Sequence, residues 1–246
     1  MRVDFVIGGT QKGGTSALDS FLRQHPQICL PETRKELHFF DREEYSDEKP
    51  DYQPYHAHFR PEPGHKVIGE ATPMYMYWDT APGRIWTYNP EMKWILVLRQ
   101  PVERAFSAWN METKRGAETL PFEEAIEQEA VRCREALPWQ HRVFSYLDRG
   151  FYAHQVRQLF RMFGRERCLV LLNEDLRTNH RATLRQTFEF LGVDPSFVPA
   201  AEDVFQHPYE EALDPALSAK LTETFSFDIK ELERLLSRDL TQWYSG

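Results

Sequence analysis

A glycine-rich turn near the N-terminus constrains the fold of this chain more than any other segment. The turn runs from Gly8 to Ser16 and follows an apolar run from Val3 to Ile7. The residues after it repeat apolar side chains at helical spacing: Ala17, Leu18, Phe21 and Leu22. A strand, a glycine turn and a helix in this order predict an anion-binding loop, because backbone N–H groups converge there and the helix N-terminus carries partial positive charge.

The position of the lysine distinguishes this turn from an ordinary triphosphate-binding loop. Gly9, Gly14 and Ser16 fit the pattern G-x-x-x-x-G-K-[ST], but Thr15 stands at the lysine position and Lys12 lies three residues before it. We interpret Lys12 as a ligand of a bound phosphate, or of the leaving oxygen between two phosphorus or sulfur centres. The alternative is a solvated lysine on a surface turn.

Short apolar runs alternate with helical patterns along the chain, which predicts an α/β fold with a central parallel sheet of about five strands flanked by helices. The predicted strands are Val3–Ile7, Ile28–Leu30, Val67–Ile68, Trp94–Leu98 and Leu169–Leu172. The predicted helices lie near 14–24, 101–114, 122–136, 153–163 and 180–191, and Asp214 followed by Pro215 is typical of the start of a further helix.

The length of 246 residues and the lack of repeats favour one domain over residues 1–246. The stretch 41–66 is rich in Pro, Tyr, His and charge and is long for a connection in such a fold. It is either an acceptor-side loop or lid, or a poorly ordered surface excursion. His56 and His58 within it could form a metal pair, but a surface or acceptor-contacting role is favoured because no third ligand is evident.

Composition limits the partners of the chain. A net charge of −8 argues against nucleic acid, so an anionic ligand must be held by local positive groups. No run approaches the roughly 20 apolar residues that span a bilayer, and three widely spaced cysteines indicate structural thiols in a reducing compartment. We therefore expect a cytoplasmic protein without membrane contact; the oligomeric state is left open.

Two further stretches carry groups suited to group-transfer chemistry. Arg99 ends a predicted strand at the carboxyl edge of the sheet, and Ser107 lies about two turns into the next helix, so both could bind a second anion. If residues 35–41 are extended, Glu36 and His38 project to the same side and could deprotonate a hydroxyl. Each pattern alone also fits an ordinary surface: a strand-end arginine, or the polar face of an edge strand.

Taken together, these stretches resemble the 3′-phosphoadenosine 5′-phosphosulfate (PAPS)-dependent sulfotransferases, in particular the heparan sulfate N- and 3-O-sulfotransferase branch and its bacterial relatives. The first loop resembles G-x-x-K-G-G-T-[ST]-x-L over Gly9 to Leu18, and Lys35 to Asp41 resembles K-E-x-H-F-F-D. Arg99 to Ser107 matches R-x-P-x-x-R-A-x-S. Weaker similarities cover Gly69 to Tyr75, Arg149 to Tyr152, and later segments.

The resemblance implies a P-loop-like sulfotransferase fold, PAPS as donor, PAP as product and roles for individual residues. Glu36 is implied as the base, with Lys12 on the leaving phosphate and His38 orienting the acceptor or sharing its proton. The implied acceptor contacts are Glu36 and His38. Tyr75 and Tyr77 are further candidates to line the acceptor pocket, and an aromatic core role is the alternative for them. The implied donor contacts are Gln11, Lys12, Gly13, Gly14, Thr15, Ser16, Arg99, Ser107 and Tyr152.

Two departures from the family pattern affect the expected site. Ala71 stands where animal members carry a lysine, and the region Phe205 to Glu211 is acidic where many relatives have a basic closing loop. We expect no metal requirement, because the transferred sulfuryl group carries less negative charge than a terminal phosphate. The acceptor is expected to be a hydroxyl, less readily an amine, of a saccharide or small natural product. The alternatives are a P-loop kinase using ATP and a non-catalytic nucleotide-binding module.

Overall fold

The computed structural model describes residues 1–45, 48–200 and 212–244, and these residues form two compact units. The first unit comprises residues 1–98 and 159–206, and the second comprises residues 99–158 and 207–246. The single-domain expectation for residues 1–246 stays a prediction. The segment Phe205 to Glu211 lies outside the described residues.

The first unit contains a parallel sheet of five strands, which confirms the predicted fold class. The strand order is β2-β3-β1-β4-β5. The strands are β1 (Phe5–Gly9), β2 (Ile28–Cys29), β3 (Val67–Ala71), β4 (Lys93–Leu98) and β5 (Cys168–Leu172). Strands β3 and β2 lie on one side of β1, and strands β4 and β5 lie on the other. The loop after β1 is therefore at the switch point of the strand order, where open α/β sheets bind ligands.

The sheet is stable because its central strands are apolar on both faces. One face of β1 and β4 presents Phe5, Ile7, Ile95 and Val97 to a buried cluster that also contains Leu18. On the other face of β4, the Trp94 ring packs on Phe163 with centroids 5.3 Å apart. Strands covered on both sides read as continuous apolar runs, and for this reason sequence patterning located all five.

Nine α-helices are found among the described residues. They are α1 (Thr15–Arg23), α2 (Gln53–His56), α3 (Ala81–Tyr88), α4 (Pro101–Lys114), α5 (Phe122–Glu135), α6 (Tyr152–Phe163), α7 (Asn173–Thr178), α8 (His180–Leu191) and α9 (Pro215–Leu236). Sequence patterning predicted α1, α4, α5, α6 and α8 to within about two residues and the start of α9, and it missed the three shorter helices. No helix in the described ranges has the length and apolar character needed to cross a membrane.

The second unit is built around the start of α4. The Gln100 side chain caps this helix by accepting a hydrogen bond from the Glu103 N–H (2.8 Å), and Pro101 occupies the first turn. The predicted cap of α9 is confirmed, since the Asp214 carboxylate accepts from the Leu217 N–H (2.8 Å). These caps satisfy N–H groups that a helix start leaves without an intrahelical acceptor.

Candidate functional site

The loop between β1 and α1 forms a tight turn against the end of β4. The Thr10 N–H donates to the Val97 carbonyl (3.1 Å), and the Gly13 N–H donates back to the Thr10 carbonyl (2.9 Å). Gly14 caps α1 with a left-handed backbone (φ 111°), and Lys12 is also left-handed (φ 67°). The Gly14 carbonyl accepts from the N–H groups of Ala17 (3.1 Å) and Leu18 (3.2 Å), so α1 begins directly at this turn, and a helix start can receive an anion.

Two glycines of this loop have no room for a side chain. A Cβ on Gly13 would lie 2.0 Å from the Val97 carbonyl oxygen, and one on Gly14 would lie 2.6 Å from the Asn173 amide nitrogen. That amide donates to the Gly13 carbonyl (2.8 Å) and ties the loop to the end of β5. The glycines at these positions thus allow the loop to pack directly on the carboxyl ends of β4 and β5.

Lys35 links the start of α1 to the segment that carries Glu36. Its ammonium donates to the hydroxyl of Ser16 (2.9 Å) and lies 3.4 Å from both the Thr15 hydroxyl and a Glu36 carboxylate oxygen. The Glu36 side chain is 40% exposed, so it remains open to an incoming molecule. A cation, two hydroxyls and an accessible carboxylate are therefore grouped within the first unit.

The second Glu36 oxygen pairs with His38, as the predicted same-side arrangement requires. The His38 Nε2 lies 3.2 Å from Glu36, and its Nδ1 lies 2.8 Å from the fully buried carboxylate of Asp41. Burial lowers the pKa of His38, but the hydrogen bonds to Asp41 and Glu36 outweigh it and raise the pKa to about 9. His38 is therefore an imidazolium at neutral pH, with both ring nitrogens donating.

Glu36 is correspondingly held as a carboxylate. Burial raises its pKa, but the hydrogen bond from His38 and the charge of Lys35 together bring the pKa below the ordinary value. The segment 35–39 is irregular, not an edge strand, and His38 has a left-handed backbone (φ 51°). The expected alternation still places Leu37 and Phe39 in the core while Glu36 and His38 are partly exposed.

A buried carboxylate lies beneath this segment. Glu70, at the end of β3, accepts hydrogen bonds from the hydroxyls of Thr72 (2.6 Å), Tyr75 (2.8 Å) and Tyr55 (3.1 Å). Burial raises the pKa of Glu70 to about 7, against the lowering effect of the three hydroxyls. The Thr72 hydroxyl in turn accepts from the Leu37 N–H (3.0 Å).

The two tyrosines expected at the acceptor are both buried. Tyr75 has no exposed surface, and its hydroxyl accepts a hydrogen bond from the Phe39 N–H (3.1 Å) while it donates to Glu70. Tyr77 is 8% exposed. These positions support a role for Tyr75 beneath the Glu36 segment; direct contact of either tyrosine with an acceptor stays a prediction.

The second unit places Arg99 just before α4 and Ser107, which is buried, in the middle of that helix. The Arg99 guanidinium donates to one Glu103 carboxylate oxygen from Nε (3.0 Å) and Nη2 (2.8 Å), and Ser107 lies one turn after Glu103 on the same face. The Tyr152 hydroxyl donates to the Arg99 carbonyl (2.9 Å), so Tyr152 holds the backbone that carries this arginine. In this pair the Glu103 side chain is 55% exposed, whereas the Arg99 side chain is 14% exposed.

His56 and His58 of the 41–66 stretch are engaged with hydroxyl groups. His56 Nε2 lies 2.8 Å from the Tyr88 hydroxyl, and His58 Nδ1 lies 3.2 Å from the Thr33 hydroxyl. Within residues 1–45, 48–200 and 212–244, no group of three His, Cys, Asp or Glu side chains is arranged to hold a metal ion. The stretch itself contains α2 and buries Tyr55 and Phe59.

Sequence reasoning missed the contacts that organise the site. It quoted Lys35 and Asp41 only as parts of a motif, and it gave Glu70 and Thr72 no role. The signal that could have indicated them is the charge pattern: a lysine directly before the candidate base, and an acid three residues after the histidine. The sequence does not show, however, that side chains at the end of β3 lie next to the 35–41 segment.

Comparison with known proteins gives the family. The sulfotransferase domain model matches residues 2–224. A crystal structure of a sulfotransferase from Alicyclobacillus acidocaldarius is similar over 99% of both chains, with a TM-score of 0.86 and 34% identity. The sulfotransferase domain of the Synechococcus PCC 7002 olefin synthase shares the fold at 18% identity, with a TM-score of 0.57 over 98% of this chain and 96% of that one.

Curated relatives include enzymes of heparan sulfate modification. The chain is 30% identical over 199 residues to mouse heparan sulfate glucosamine 3-O-sulfotransferase 3B1, which covers 76% of this chain and 45% of the relative. It is 27% identical over 202 residues to mouse bifunctional heparan sulfate N-deacetylase/N-sulfotransferase 3, and this similarity covers 78% of this chain and 22% of the relative. The chain thus spans less than half the length of these two relatives.

Proposed function

We propose that this chain, which belongs to the sulfotransferase domain family, moves a sulfuryl group from PAPS to the hydroxyl of a saccharide or small natural product. An amine is the less favoured acceptor. Names of curated relatives that refer to heparan sulfate support a saccharide. We further propose that the reaction needs no metal and takes place in the cytoplasm.

One observation carries the proposal: Lys35 connects the hydroxyls of Ser16 and Thr15, at the anion-binding loop, to the exposed carboxylate of Glu36. A donor held at the start of α1 and an acceptor hydroxyl at Glu36 would then be adjacent within one unit. Placing both reactants side by side is a large part of catalysis when the transferred group reacts in line.

The reaction follows from this arrangement. The acceptor oxygen attacks sulfur as Glu36 removes its proton, and the bond between sulfur and the bridging oxygen of the 5′-phosphate breaks. The bond electrons remain on PAP, where charge develops on the leaving oxygen. Lys12 in the loop and the N-terminus of α1 stabilise that charge, together with contacts from Gln11, Gly13, Gly14, Thr15 and Ser16.

His38 acts on Glu36 in this scheme. Because its pKa of about 9 keeps it protonated, His38 cannot accept a further proton at neutral pH and donates a hydrogen bond to Glu36. This contact orients the carboxylate toward the acceptor. It also lowers the pKa of Glu36, so that this carboxylate is ionised and able to accept a proton at neutral pH.

Arg99 and Ser107 are proposed to hold the 3′-phosphate of the donor. The planar guanidinium of Arg99 already makes a two-nitrogen contact to a carboxylate oxygen, which a phosphate would replace. Tyr152 contributes by holding the Arg99 carbonyl. The acidic net charge makes such local cations necessary.

Calorimetry tests the donor. We expect PAP to bind with similar affinity in the presence of Mg²⁺ or EDTA, and ATP to bind at least ten-fold more weakly under both conditions. Tight ATP binding that requires Mg²⁺ would instead support the kinase alternative. PAP binding without turnover on a panel of saccharides, alcohols and amines would leave only a nucleotide-binding module.

The change Glu36→Gln tests the base. It preserves the size of the side chain but removes the proton acceptor, so we expect turnover to fall by about 10²–10⁴-fold while PAP affinity changes less than about three-fold. The matched control is Glu32→Gln, an exposed acid four residues earlier in the same segment, which should keep wild-type turnover. Normal turnover in Glu36→Gln would remove Glu36 from the mechanism.

A further inference from the structure

We infer that Thr72 and Tyr75, both hydrogen-bonded to the buried Glu70, are positioning residues that fix the backbone carrying Glu36 and His38. The inference rests on the proposed role of Glu36 as the base. It adds to that role a group of side chains that act on Glu36 through the backbone. Their common feature is a hydroxyl placed between one buried carboxylate and the 37–39 backbone.

The direction of the hydrogen bonds gives the group its function. Each hydroxyl has one hydrogen, and in both Thr72 and Tyr75 it points to a Glu70 oxygen (2.6 and 2.8 Å). Their oxygen lone pairs are therefore presented to N–H groups. Thr72 accepts from Leu37 (3.0 Å), and Tyr75 accepts from Phe39 (3.1 Å).

The segment needs such partners because it belongs to no strand. Without a ladder of backbone bonds, the buried N–H groups of Leu37 and Phe39 would be left unsatisfied, at a cost of about 1–3 kcal/mol each. His38, between them, has a left-handed backbone (φ 51°), which is unfavourable for a residue with a side chain. Two anchored N–H groups on either side of His38 keep it in this conformation.

The His38 conformation is what brings Glu36 and Asp41 to its two ring nitrogens. Loosening either anchor would let the ring leave one of its carboxylates. The Glu36 carboxylate would then lose its orientation, although within the described residues Glu36 itself makes no hydrogen bond to Glu70, Thr72 or Tyr75. Thr72 and Tyr75 thus fix the position of the Glu36 carboxylate through the backbone N–H groups of Leu37 and Phe39.

Tyr75→Phe and Tyr55→Phe form a matched pair for the test. Both residues are essentially buried, and both hydroxyls donate to the same Glu70 oxygen, Tyr75 at 2.8 Å and Tyr55 at 3.1 Å. Only Tyr75 accepts a bond from the Glu36 segment, at the Phe39 N–H. A purely structural role for the network predicts similar effects of the two changes.

The measurement is the titration of His38 by NMR, which needs no acceptor, together with PAP affinity and thermal unfolding. We expect the His38 pKa to fall from about 9 by one unit or more in Tyr75→Phe and to stay within 0.3 units in Tyr55→Phe, with PAP affinity within about two-fold in both. Thr72→Val should behave as Tyr75→Phe does, and Thr72→Ser, which keeps the hydroxyl, should restore the wild-type titration.

Equal His38 titrations in the two tyrosine variants would overturn the inference. With an acceptor that supports turnover, kcat should fall about ten-fold or more in Tyr75→Phe alone, with little change in KM. Failure of the proposed function looks different, since wild-type protein would then not bind PAP or Glu36→Gln would remain active. Loss of activity in Glu36→Gln with identical tyrosine variants would leave the function intact and reject only the positioning role.

Discussion

Glu36, His38 and Asp41 form a hydrogen-bonded row in which an imidazolium lies between two carboxylates. The outer carboxylate, Glu36, is partly exposed, and the inner one, Asp41, is fully buried. This asymmetry distinguishes two chemically similar groups: buried Asp41 helps to keep His38 charged, and Glu36 keeps part of its carboxylate open to solvent. Residue identity alone gives the three groups but not this order.

The raised pKa of His38 predicts a pH-dependent contribution to stability. In the folded protein the pKa is about 9, above the ordinary value of 6.5, so folding favours the protonated form. The contribution is fully present below pH 6.5 and is lost as the pH rises through 9. Urea unfolding of wild type and His38→Gln should show a larger stability gap at pH 6 than at pH 10.

Because the His38 side chain is 38% exposed, solvent screening limits the size of that gap. The comparison uses the same pair of proteins at both pH values, so effects of the substitution that do not involve titration cancel. A gap of the same size at pH 6 and pH 10 would contradict the protonated state assigned to His38.

Lys35 offers a second residue-scale prediction. Burial raises the pKa of Glu36, whereas His38 and then Lys35 lower it, so Lys35→Met should raise this pKa. The acid limb of the kcat/KM profile should then move to higher pH, and turnover at pH 6 should fall more than turnover at pH 8. Lys66→Met, at an exposed position, is the control, and an unshifted acid limb in Lys35→Met would exclude the coupling.

At the scale of elements, the loop between β1 and α1 depends on backbone contact with β4 and β5. The Gly13 position has a carbonyl oxygen of Val97 where a Cβ would lie, and Asn173 closes the other side. The loop can keep this shape only if its packing surface stays bare. Sequence patterning indicated an anion-binding turn; the structure shows that its glycines also pack closely on neighbouring strands.

Gly13→Ala and Gly83→Ala are predicted to have opposite effects. The first should destabilise the protein by about 1–3 kcal/mol through overpacking and weaken PAP binding ten-fold or more. The second lies within α3 with nothing within 4 Å of the new methyl group, so it should stabilise the protein by about 0.5–1 kcal/mol. Urea unfolding and calorimetry measure both, and wild-type PAP affinity in Gly13→Ala would contradict the proposed loop geometry.

The segment 35–41 shows why element prediction was incomplete. Its polar and apolar residues alternate as in a strand, yet the backbone turns left-handed at His38 and pairs with side chains of Thr72 and Tyr75. Alternation predicted which side chains are buried, because that depends on a near-extended chain. The hydrogen-bond partners depend on what lies beneath, which the pattern does not contain.

At the scale of the whole molecule, the cysteines report on global opening. Cys29 and Cys168 are buried, Cys133 is half-buried, and none of the three forms a disulfide in the described residues. Burial raises the pKa of Cys133 to about 11 and that of Cys168 to about 12. Cys168 is 8% exposed and lies in β5, which is paired along its length with β4, so we expect its thiol to react mainly when the sheet opens.

We expect a thiol reagent at pH 8 to label Cys133 well before Cys168. Saturating PAP, at about 100 times its dissociation constant, should slow the labelling of Cys168 by about 100-fold, since a ligand that binds only the folded state stabilises it by mass action. Peptide mapping after timed labelling measures both rates. Equal labelling of Cys133 and Cys168 would show that the sheet opens locally without global unfolding.

The sequence by itself determined the parallel α/β sheet, the loop after β1 and the candidate base, because continuous apolar runs, glycine spacing and short motifs are local signals. Only the tertiary structure decided that Lys35 joins the loop to Glu36, that His38 is held as a cation, and that Glu70 supports the segment through Thr72 and Tyr75. Those features arise when side chains from separate parts of the chain are buried together, where desolvation and hydrogen-bond direction determine protonation and position. The order of residues along the chain does not show which distant side chains come into contact.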